Sequence, residues 1–326
     1  MIRLSIIIPF YNVEQYIAQC LDSVYQQNIP EEEYEVICVN DASPDNSREI
    51  VKEYQKKHAN LILVEHEVNK KLGAARNTGR SMAKGKYIWN VDSDDMIAPN
   101  CLKEMLETCE KSDLDVLMFS NKFIVNNTVQ DTNEKDSILT SSCLTGIEFM
   151  RQYVSYIHLI SPVWRQLFRR EYMDQNSIYS LEINMSEDVP YTFNAITLAQ
   201  KIQSVSNEYY IYRCNPESIG GQMRKAPSAI AAYESCFIAT GELFHLSKMV
   251  PKNAVDVGGI IHNVGSWCFK LYGSYVNGMN EDQRKAFLKL CRKNFIQNIF
   301  VIKHLNWRMI LRYIRYLLTG NAIREV

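Results

Sequence analysis

Apolar residues in the first 120 positions fall into short runs rich in β-branched side chains, and segments with helical spacing separate these runs. The runs are LSIII at 4–8, YEVICVN at 34–40, LILVEH at 61–66, GKYIWNVD at 85–92 and DVLMFS at 115–120. Strands that alternate with helical segments are typical of β-α units, which build a mostly parallel sheet flanked by helices. The pattern therefore predicts an α/β fold.

Polar stretches follow three of the predicted strands. They are PFYN at 9–12, NDASPDNS at 40–47 and DSDD at 92–95. In an open sheet of this kind, ligands bind beyond the carboxyl ends of the strands. We therefore expect the three stretches to converge on one edge of the sheet.

The remainder of the chain has a different pattern. A polar break covers residues 126–143, the strand-like run QSVSNEYYIYR ends at 213, and apolar residues beyond about 222 have helical spacing. We predict an α/β domain over residues 1–222 and a helical region over residues 223–326. Membrane-surface binding and oligomerisation are both open roles for that region, and the sequence does not decide between a monomer and a homo-oligomer.

Composition favours a cytoplasmic globular protein. Hydrophobic residues make up 46% of the 326 residues and the formal net charge is −1, which argues against wholesale disorder. The nine cysteines are scattered without a C-x-x-C pair, as expected in a reducing compartment. No run reaches the roughly 18 apolar residues of a membrane-spanning helix. The apolar stretch after Arg3 ends at Pro9, so we interpret it as a buried strand rather than a secretory signal.

The stretch DSDD places three aspartates in four positions directly after an apolar strand. Carboxylates this close repel one another unless a cation offsets their charge. The sequence lacks the G-K-[ST] of a P-loop, the G-x-G-x-x-G of dinucleotide-binding folds and the H-E-x-x-H of zinc hydrolases. The cluster therefore favours a Mg²⁺ or Mn²⁺ site that binds a nucleotide diphosphate. An Asp-rich turn that caps the next helix is the open alternative.

Four segments resemble successive motifs of the family 2 glycosyltransferases. They are SIIIPFYNVEQYIAQCLDSVYQQ, YEVICVNDASPDNS, NKKLGAARNTGRSMAKGKYIWNVDSDD and SEDVPYTFNAI, and the resemblance covers roughly residues 1–215. It implies a Rossmann-like fold of the GT-A type. It also implies transfer of a sugar from a nucleotide diphospho-sugar, usually with inversion at the anomeric carbon.

The resemblance implies a nucleoside site in the first half of this domain. Pro9 and Tyr11 would lie against the nucleoside, with the Tyr11 ring as a stacking face. Asp41 would accept a hydrogen bond from the base, which favours uracil, and Asn69 would add a polar contact. The structural alternatives are a strand end at Pro9, a core ring at Tyr11, a helix cap at Asp41 and a turn residue at Asn69.

The resemblance also implies a diphosphate and metal site. Arg76 would bind the diphosphate through its guanidinium group, or else pair with a carboxylate of its own helix. Asp92 and Asp94 form the D-x-D motif, in which Asp92 lies near ribose or metal and Asp94 is the main metal ligand, with Asp95 in support. Arg213 would close over the diphosphate, and a surface arginine at a strand end is the alternative.

The segment SEDVP at 186–190 resembles the position of the catalytic base. Pro190 predicts the first turn of a helix, which places Glu187 and Asp188 at an amino end where the dipole favours negative charge. Asp188 would take the proton of the acceptor hydroxyl and Glu187 would orient it. Helix capping is the alternative for both. Trp164 resembles a position that contacts the acceptor sugar, and a core indole is its alternative.

The end of the chain has a basic amphipathic pattern. Residues 284–326 contain ten Lys or Arg against one acidic residue. One predicted helical face is apolar and another carries arginines. The apolar set is Trp307, Ile310, Leu311, Ile314, Leu317 and Leu318, and the basic set is Arg308, Arg312 and Arg315. Such a helix suits peripheral contact with an anionic membrane, and docking on the catalytic domain is the alternative. Nucleic acid is not an expected partner, because aliphatic residues outnumber stacking aromatics.

We expect single sugar additions, because the Q-x-x-R-W motif of processive family members is absent. The expected function is transfer of a hexosyl or N-acetylhexosaminyl group, from a UDP-linked donor to a glycan or lipid-linked glycan, in bacterial surface polysaccharide synthesis (capsule, O-antigen or exopolysaccharide). The expected location is the cytoplasm, with the inner face of the cell membrane as an open site. A nucleotidyltransferase is disfavoured because PFYNVEQY contains neither glycine nor a cation. A degenerate transferase that serves as a scaffold in a glycan-assembly complex stays the alternative.

Overall fold

The structure of the protein is a computed structural model that describes residues 1–125, 128–130, 140, 142–153, 162–183 and 187–214, and eight single positions beyond them (235, 238, 239, 242, 243, 281, 282 and 285). The predicted domain boundary after residue 222 and the basic helix near the end of the chain lie outside the described residues. Contacts divide the chain into two compact units. One is Met1–Glu182 with Tyr191–Asn215, and the other is Ile183–Pro190 with Pro216–Val326.

The described strands are β1 (Leu4–Phe10), β2 (Tyr34–Asn40), β3 (Leu61–Glu65), β4 (Tyr87–Asn90), β5 (Met96–Ile97), β6 (Val116–Val125), β7 (Thr128–Gln130), β8 (Gln166–Arg169) and β9 (Ile202–Arg213). The described helices are α1 (Ile17–Tyr25), α2 (Ser47–Lys57), α3 (Leu72–Met82), α4 (Leu102–Ser112), α5 (Gly146–Tyr153), α6 (Arg170–Gln175) and α7 (Asp188–Thr197). Short 3₁₀ helices cover Glu31–Glu33 and Val163–Arg165. No helix among these residues is long and apolar enough to cross a bilayer.

These strands form one sheet with the order β3-β2-β1-β4-β8-β6-β9-β5, and β7 pairs with β6 beside this path. The first four strands are parallel, as the alternating pattern predicts. Strand β8 is antiparallel to both of its neighbours, β4 and β6, so the second half of the sheet is mixed. The α/β fold is confirmed, and the antiparallel insertion is a feature that the apolar runs did not indicate.

Both faces of β1 are covered, which explains its nearly continuous apolar sequence. Leu4, Ile6 and Ile8 belong to the large core cluster that includes side chains of α1 and α4. Ile7 is buried on the opposite face of the strand, towards α3. A Cβ atom at Gly79 of α3 would lie 2.4 Å from Cγ2 of Ile7, so glycine allows the helix to lie close to the strand.

The six described cysteines separate by position. Cys20, Cys38, Cys101 and Cys109 are buried as free thiols, and two others, Cys143 and Cys214, are exposed. Four of the six therefore act as small apolar side chains in the core, as the sequence predicted.

Candidate active site

The carboxyl ends of β2, β1 and β4 lie side by side, because these strands are consecutive neighbours in the sheet. The N–H group of Asp41 donates to the carbonyl of Phe10 at 3.0 Å, and that of Val91 donates to the carbonyl of Ile7 at 2.9 Å. The three polar stretches that follow these strands therefore leave the sheet at one edge.

The loops after β1 and β2 are bound to each other. The N–H of Asn12 donates to Oγ of Ser43 at 2.7 Å, and the N–H of Glu14 donates to Oδ2 of Asp45 at 2.8 Å. Asn12 and Ala42 both have positive φ angles, 56° and 58°, which are uncommon for residues other than glycine. These contacts give the edge beside Asp41 a defined loop conformation.

Asp41 is buried and its carboxylate accepts three hydrogen bonds. The N–H groups of Lys70 and Lys71 donate to Oδ1 and Oδ2 at 2.7 and 2.9 Å. Nδ1 of His66 lies 2.7 Å from Oδ1, and Nε2 of the same ring lies 2.9 Å from Oγ1 of Thr78. The aspartate thus organises the loop that leads from β3 into α3. It does not cap α2, whose first N–H group, that of Ser47, donates to Oδ1 of Asp45 at 3.1 Å.

The other residues predicted to contact the nucleoside belong to β1, to the loop after β1 and to the loop after β3. Pro9 is buried within β1 opposite Val39. Tyr11 follows the strand and is 47% exposed, so its ring is not part of the core. Asn69 accepts the N–H of Lys71 at 3.2 Å, which makes it a turn residue in the loop that Asp41 holds.

Arg76 connects α3 with the D-x-D motif. Its side chain is buried, and Nη2 donates to Oδ1 of Asp92 at 2.9 Å. The partner in this contact is Asp92, which follows β4, and not a carboxylate of α3 as the alternative for Arg76 would require. The guanidinium group lies at the edge where β4 ends.

The DSDD turn is attached to β9 by hydrogen bonds at three of its four residues. The N–H of Asp92 donates to the Tyr210 hydroxyl at 3.1 Å, and that hydroxyl donates to Oδ2 of Asp95 at 2.7 Å. The N–H of Arg213 donates to Oδ1 of Asp95 at 2.7 Å, and its Nε donates to the Asp94 carbonyl at 2.9 Å. Strand β9 therefore sets the backbone of the motif.

The turn brings three carboxyl groups close together. Burial, together with the neighbouring carboxylates of Asp94 and Asp92, raises the pKa of Asp95 well above its usual range. Within the described part of the chain, no three His, Cys, Asp or Glu side chains form a ready metal-binding group. This donor set fits a divalent ion held by one or two carboxylates plus phosphate oxygens, which is the usual arrangement for Mg²⁺.

Arg213, the last residue of β9, and Trp164, which stacks on a β9 ring, both contact residues that bind or form the turn. Nη2 of Arg213 donates to Oε1 of Gln19 at 2.7 Å, and its guanidinium group lies 5.2 Å from the ring centroid of Tyr16. The partly buried Trp164 ring stacks on the Tyr210 ring at 4.3 Å between centroids. Trp164 thus packs on the core while it neighbours the residue that binds the DSDD turn.

Helix α7 begins at Asp188, as the position of Pro190 predicts. Glu187 immediately precedes the helix and is buried. Both residues belong to the second compact unit, whereas α7 continues into the first at Tyr191. The predicted roles of Asp188 as base and Glu187 as its orienting partner stay predictions.

Three side chains of this edge were missed by sequence reasoning: His66, Thr78 and Tyr210. His66 ends the run LILVEH, so its position after a parallel strand was an available signal. Tyr210 lies within a strand whose alternating aromatics look like core residues, and nothing in its spacing points to Asp95.

Comparison with known proteins decides the family. The family model described as glycosyl transferase family 2 matches residues 5–176. The chain belongs to glycosyl transferase family 2. Among curated relatives of this family 2 protein, the uncharacterized glycosyltransferase EpsJ of Bacillus subtilis is 34% identical over 219 residues, which are 66% of this chain and 62% of the relative.

Two further relatives have more specific names. A poly(ribitol-phosphate) beta-glucosyltransferase of Bacillus spizizenii is 32% identical over 71% of this chain and 37% of its own length. The poly(ribitol-phosphate) beta-N-acetylglucosaminyltransferase TarS of Staphylococcus aureus is 30% identical over 67% of this chain and 36% of its own length. The family 2 protein therefore matches less than two thirds of the length of these relatives.

Solved structures confirm the fold. S. aureus TarS 1-349 in complex with UDP-GlcNAc has a TM-score of 0.70 and 23% identity, over 98% of this chain and 88% of the other. A mannosyltransferase of Pyrobaculum calidifontis in complex with GDP-Man and Mn²⁺ has a TM-score of 0.55 and 13% identity, over 98% of this chain and 88% of the other. The family 2 protein has the GT-A fold of these neighbours.

Proposed function

We propose that this protein is an inverting, non-processive glycosyltransferase that transfers one sugar from a UDP-sugar to an acceptor hydroxyl. The observation that carries the proposal is the meeting of two aspartate sites at one sheet edge, Asp41 after β2 and the DSDD turn after β4, with Arg76 bound to Asp92 beside them. Family membership gives this arrangement its chemical class.

Asp41 is suited to recognise the nucleobase. A carboxylate has about four acceptor sites, and three donors of the described chain already occupy sites on Asp41, so one further N–H group can be bound. Uracil offers such a group. Tyr11 supplies an exposed ring for stacking, and Pro9 and Asn69 complete the nucleoside site.

The diphosphate would lie beside Arg76 and the DSDD turn, which are joined by the contact between Arg76 and Asp92. The guanidinium group is matched to phosphate oxygens and replaces part of the hydration that the diphosphate loses. Asp94, with Asp92, would hold a Mn²⁺ or Mg²⁺ ion, which when bound neutralises charge on the departing UDP. Arg213 holds the backbone of the turn and lies within reach of the same region.

Asp188 is the proposed catalytic base. Its carboxylate takes the proton of the acceptor hydroxyl while the oxygen forms a bond to the anomeric carbon and the bond from that carbon to the UDP oxygen breaks. Attack opposite the leaving group inverts the anomeric configuration. The first turn of α7 favours the charged form of the base, and Glu187 orients it. Trp164 would contact the acceptor sugar.

The names of the relatives support an acceptor of the cell-envelope class. One acts on poly(ribitol phosphate) as a glucosyltransferase, TarS as an N-acetylglucosaminyltransferase, and GgaB of Bacillus subtilis is a minor teichoic acid biosynthesis protein. We propose a hexosyl or N-acetylhexosaminyl donor, a polyol-phosphate or lipid-linked glycan acceptor, and contact of the basic tail with the cytoplasmic membrane surface.

Thermal shifts with UDP-Glc, UDP-GlcNAc and GDP-Man, each with Mn²⁺ and with chelator, test the donor class. We expect selective stabilisation by one UDP-sugar in Mn²⁺. UDP release upon addition of poly(ribitol phosphate) or a polyprenyl-linked glycan then tests transfer. Stabilisation by a UDP-sugar, without release of UDP when any of these acceptors is added, would favour a scaffold. Equal shifts for all donors would contradict the proposal.

A further inference from the structure

We propose that His66 is a positioning residue that fixes the Asp41 carboxylate for the base of the donor nucleotide, and so determines selectivity for uridine. The inference rests on the proposed function. The inference goes beyond the proposed function because His66 lies outside the four segments that carry the family resemblance. It also assigns a task to a buried histidine that the transfer step does not use.

The hydrogen-bond network determines which ring nitrogen carries the proton. A carboxylate only accepts hydrogen bonds, so Nδ1 of His66 must donate to Oδ1 of Asp41. Nε2 of the same ring lies 2.9 Å from the hydroxyl oxygen of Thr78, at hydrogen-bond distance. His66 therefore links the Asp41 carboxylate to Thr78 and restricts rotation of the carboxylate.

Each member of this chain is held by a different element. The N–H of His66 donates to the carbonyl of Asn40 at 2.9 Å, which extends the pairing of β3 with β2 by one residue. Thr78 lies on α3, two residues after Arg76, so one helix supports both the base site and the diphosphate site. A displacement of the His66 ring would move Asp41 relative to Arg76.

The carboxylate is also fixed from its loop side, by the N–H groups of Lys70 and Lys71. Lys71 has a φ angle of 77°, and Ala42, directly after Asp41, has 58°. Side-chain-bearing residues reach this region only at a cost, and the surrounding contacts must hold them there. Both residues with positive φ angles adjoin the Asp41 carboxylate, one in the chain and one as a hydrogen-bond donor. The fold therefore keeps the orientation of this carboxylate despite the cost in backbone conformation.

A second histidine provides a matched comparison at the other end of β3. Nδ1 of His58 lies 2.9 Å from Oε1 of Glu31, so the pair has the same chemistry as His66 with Asp41. The His58 and Glu31 side chains are 21% and 42% exposed, whereas those of His66 and Asp41 are 4% and 5% exposed. Water can replace the first pair but not the second. The buried pair is the one at the ligand edge of the sheet.

The test measures UDP, CDP and pyrophosphate affinity by calorimetry in Mn²⁺ for the full chain and for His66→Leu, His66→Asn, Thr78→Val and His58→Leu. We expect His66→Leu to weaken UDP binding about 10- to 100-fold and to reduce the preference for UDP over CDP. Pyrophosphate affinity should not change. His66→Asn, whose amide can donate at the position of Nδ1–H, should restore UDP affinity to within about threefold of the parent. Thr78→Val should have an intermediate effect, and His58→Leu should leave all three affinities unchanged.

The outcomes separate the inference from the proposed function. If the unmodified protein binds no UDP, both are overturned. If it binds UDP and His66→Leu lowers only the melting temperature, His66 is structural and the inference alone is wrong. A parallel loss of UDP and pyrophosphate affinity, without rescue by His66→Asn, would contradict it in the same way.

Discussion

The two aspartate sites at the edge of the sheet differ in how their charge is met. Asp41 receives three hydrogen bonds, from two backbone N–H groups and a histidine, and its charge is compensated by the protein itself. The DSDD turn places three carboxylates together with one buried arginine, Arg76, bound to Asp92. Both sites follow parallel strands, β2 and β4, which lie on either side of β1, so the difference lies in the loops that surround them.

This difference indicates which ligand each site recognises. A carboxylate already fixed by donors presents one defined acceptor, which suits a neutral N–H group of a base. The DSDD turn places three carboxyl groups within four positions, and such a cluster suits a cation and, through it, a diphosphate. The first site should therefore act without metal, and the second should depend on it.

The largest expected effect is on turnover, and it comes from Asp188, which belongs to neither of the two aspartate sites that bind the donor. Asp188→Asn keeps the shape of the side chain but removes the proton acceptor, so turnover should fall by about 10² to 10⁴. UDP affinity in Mn²⁺ should stay within about twofold of the parent. Steady-state kinetics and calorimetry measure the two quantities, and a similar loss in both would argue against a base at this position.

Asp94→Asn tests the cation-dependent site. We expect the Mn²⁺-dependent increase in UDP affinity to fall by about 10²-fold, while UDP affinity in chelator is unchanged, because a charged metal ligand is lost. Asp113→Asn is the matched control, since Asp113 ends α4 with a φ of 48°, a conformation that asparagine tolerates. A loss of affinity in chelator as large as that in Mn²⁺ would contradict the assignment.

Asp41→Asn should behave in the opposite way. Asp41 uses both oxygens, and asparagine offers only one, so at least one N–H donor of the loop loses its partner. We expect UDP affinity to fall by about 10- to 50-fold, by the same factor in Mn²⁺ and in chelator. Calorimetry under both conditions checks this, and a loss seen only with Mn²⁺ would remove the distinction between the sites.

Tyr210→Phe should have the smallest effect. It removes the hydroxyl that accepts from the Asp92 N–H and donates to Asp95, but leaves the ring stacked on Trp164. We expect Mn²⁺-dependent UDP affinity to fall about five- to tenfold. Tyr209→Phe, whose hydroxyl contacts Glu104, is the control and should leave UDP affinity unchanged. Equal affinities for the two variants would mean that β9 does not position the turn.

Much of the fold could be predicted from sequence patterns, because buried parallel strands have continuous apolar runs. Strands β1 to β4 and β6 each coincide with such a run. Strand β8 was not indicated, since QLFR has only two apolar residues and lies between arginines. An antiparallel insertion depends on its neighbours β4 and β6 more than on its own periodicity.

The sequence likewise predicted some residues of the site and not others. The convergence of Asp41 and Asp92 on one edge follows from their positions after predicted parallel strands, whereas the place of Arg76 came from the family resemblance. The partners of these residues do not, because His66 meets Asp41 and Tyr210 meets Asp95 across 25 and 115 positions of sequence. Spacing identifies residues that follow a strand, but it does not identify which long-range side chain completes a buried hydrogen bond.

The most direct test of the central claim is the mutual dependence of Mn²⁺ and UDP binding. Titration of Mn²⁺, followed by electron paramagnetic resonance, with and without UDP reports both affinities, and linkage requires the two ligands to affect each other equally. The DSDD turn supplies carboxylates but lacks a complete protein cage, so Mn²⁺ should bind at least tenfold more tightly when UDP is present. Mn²⁺ affinity that is the same with and without UDP would contradict a shared site.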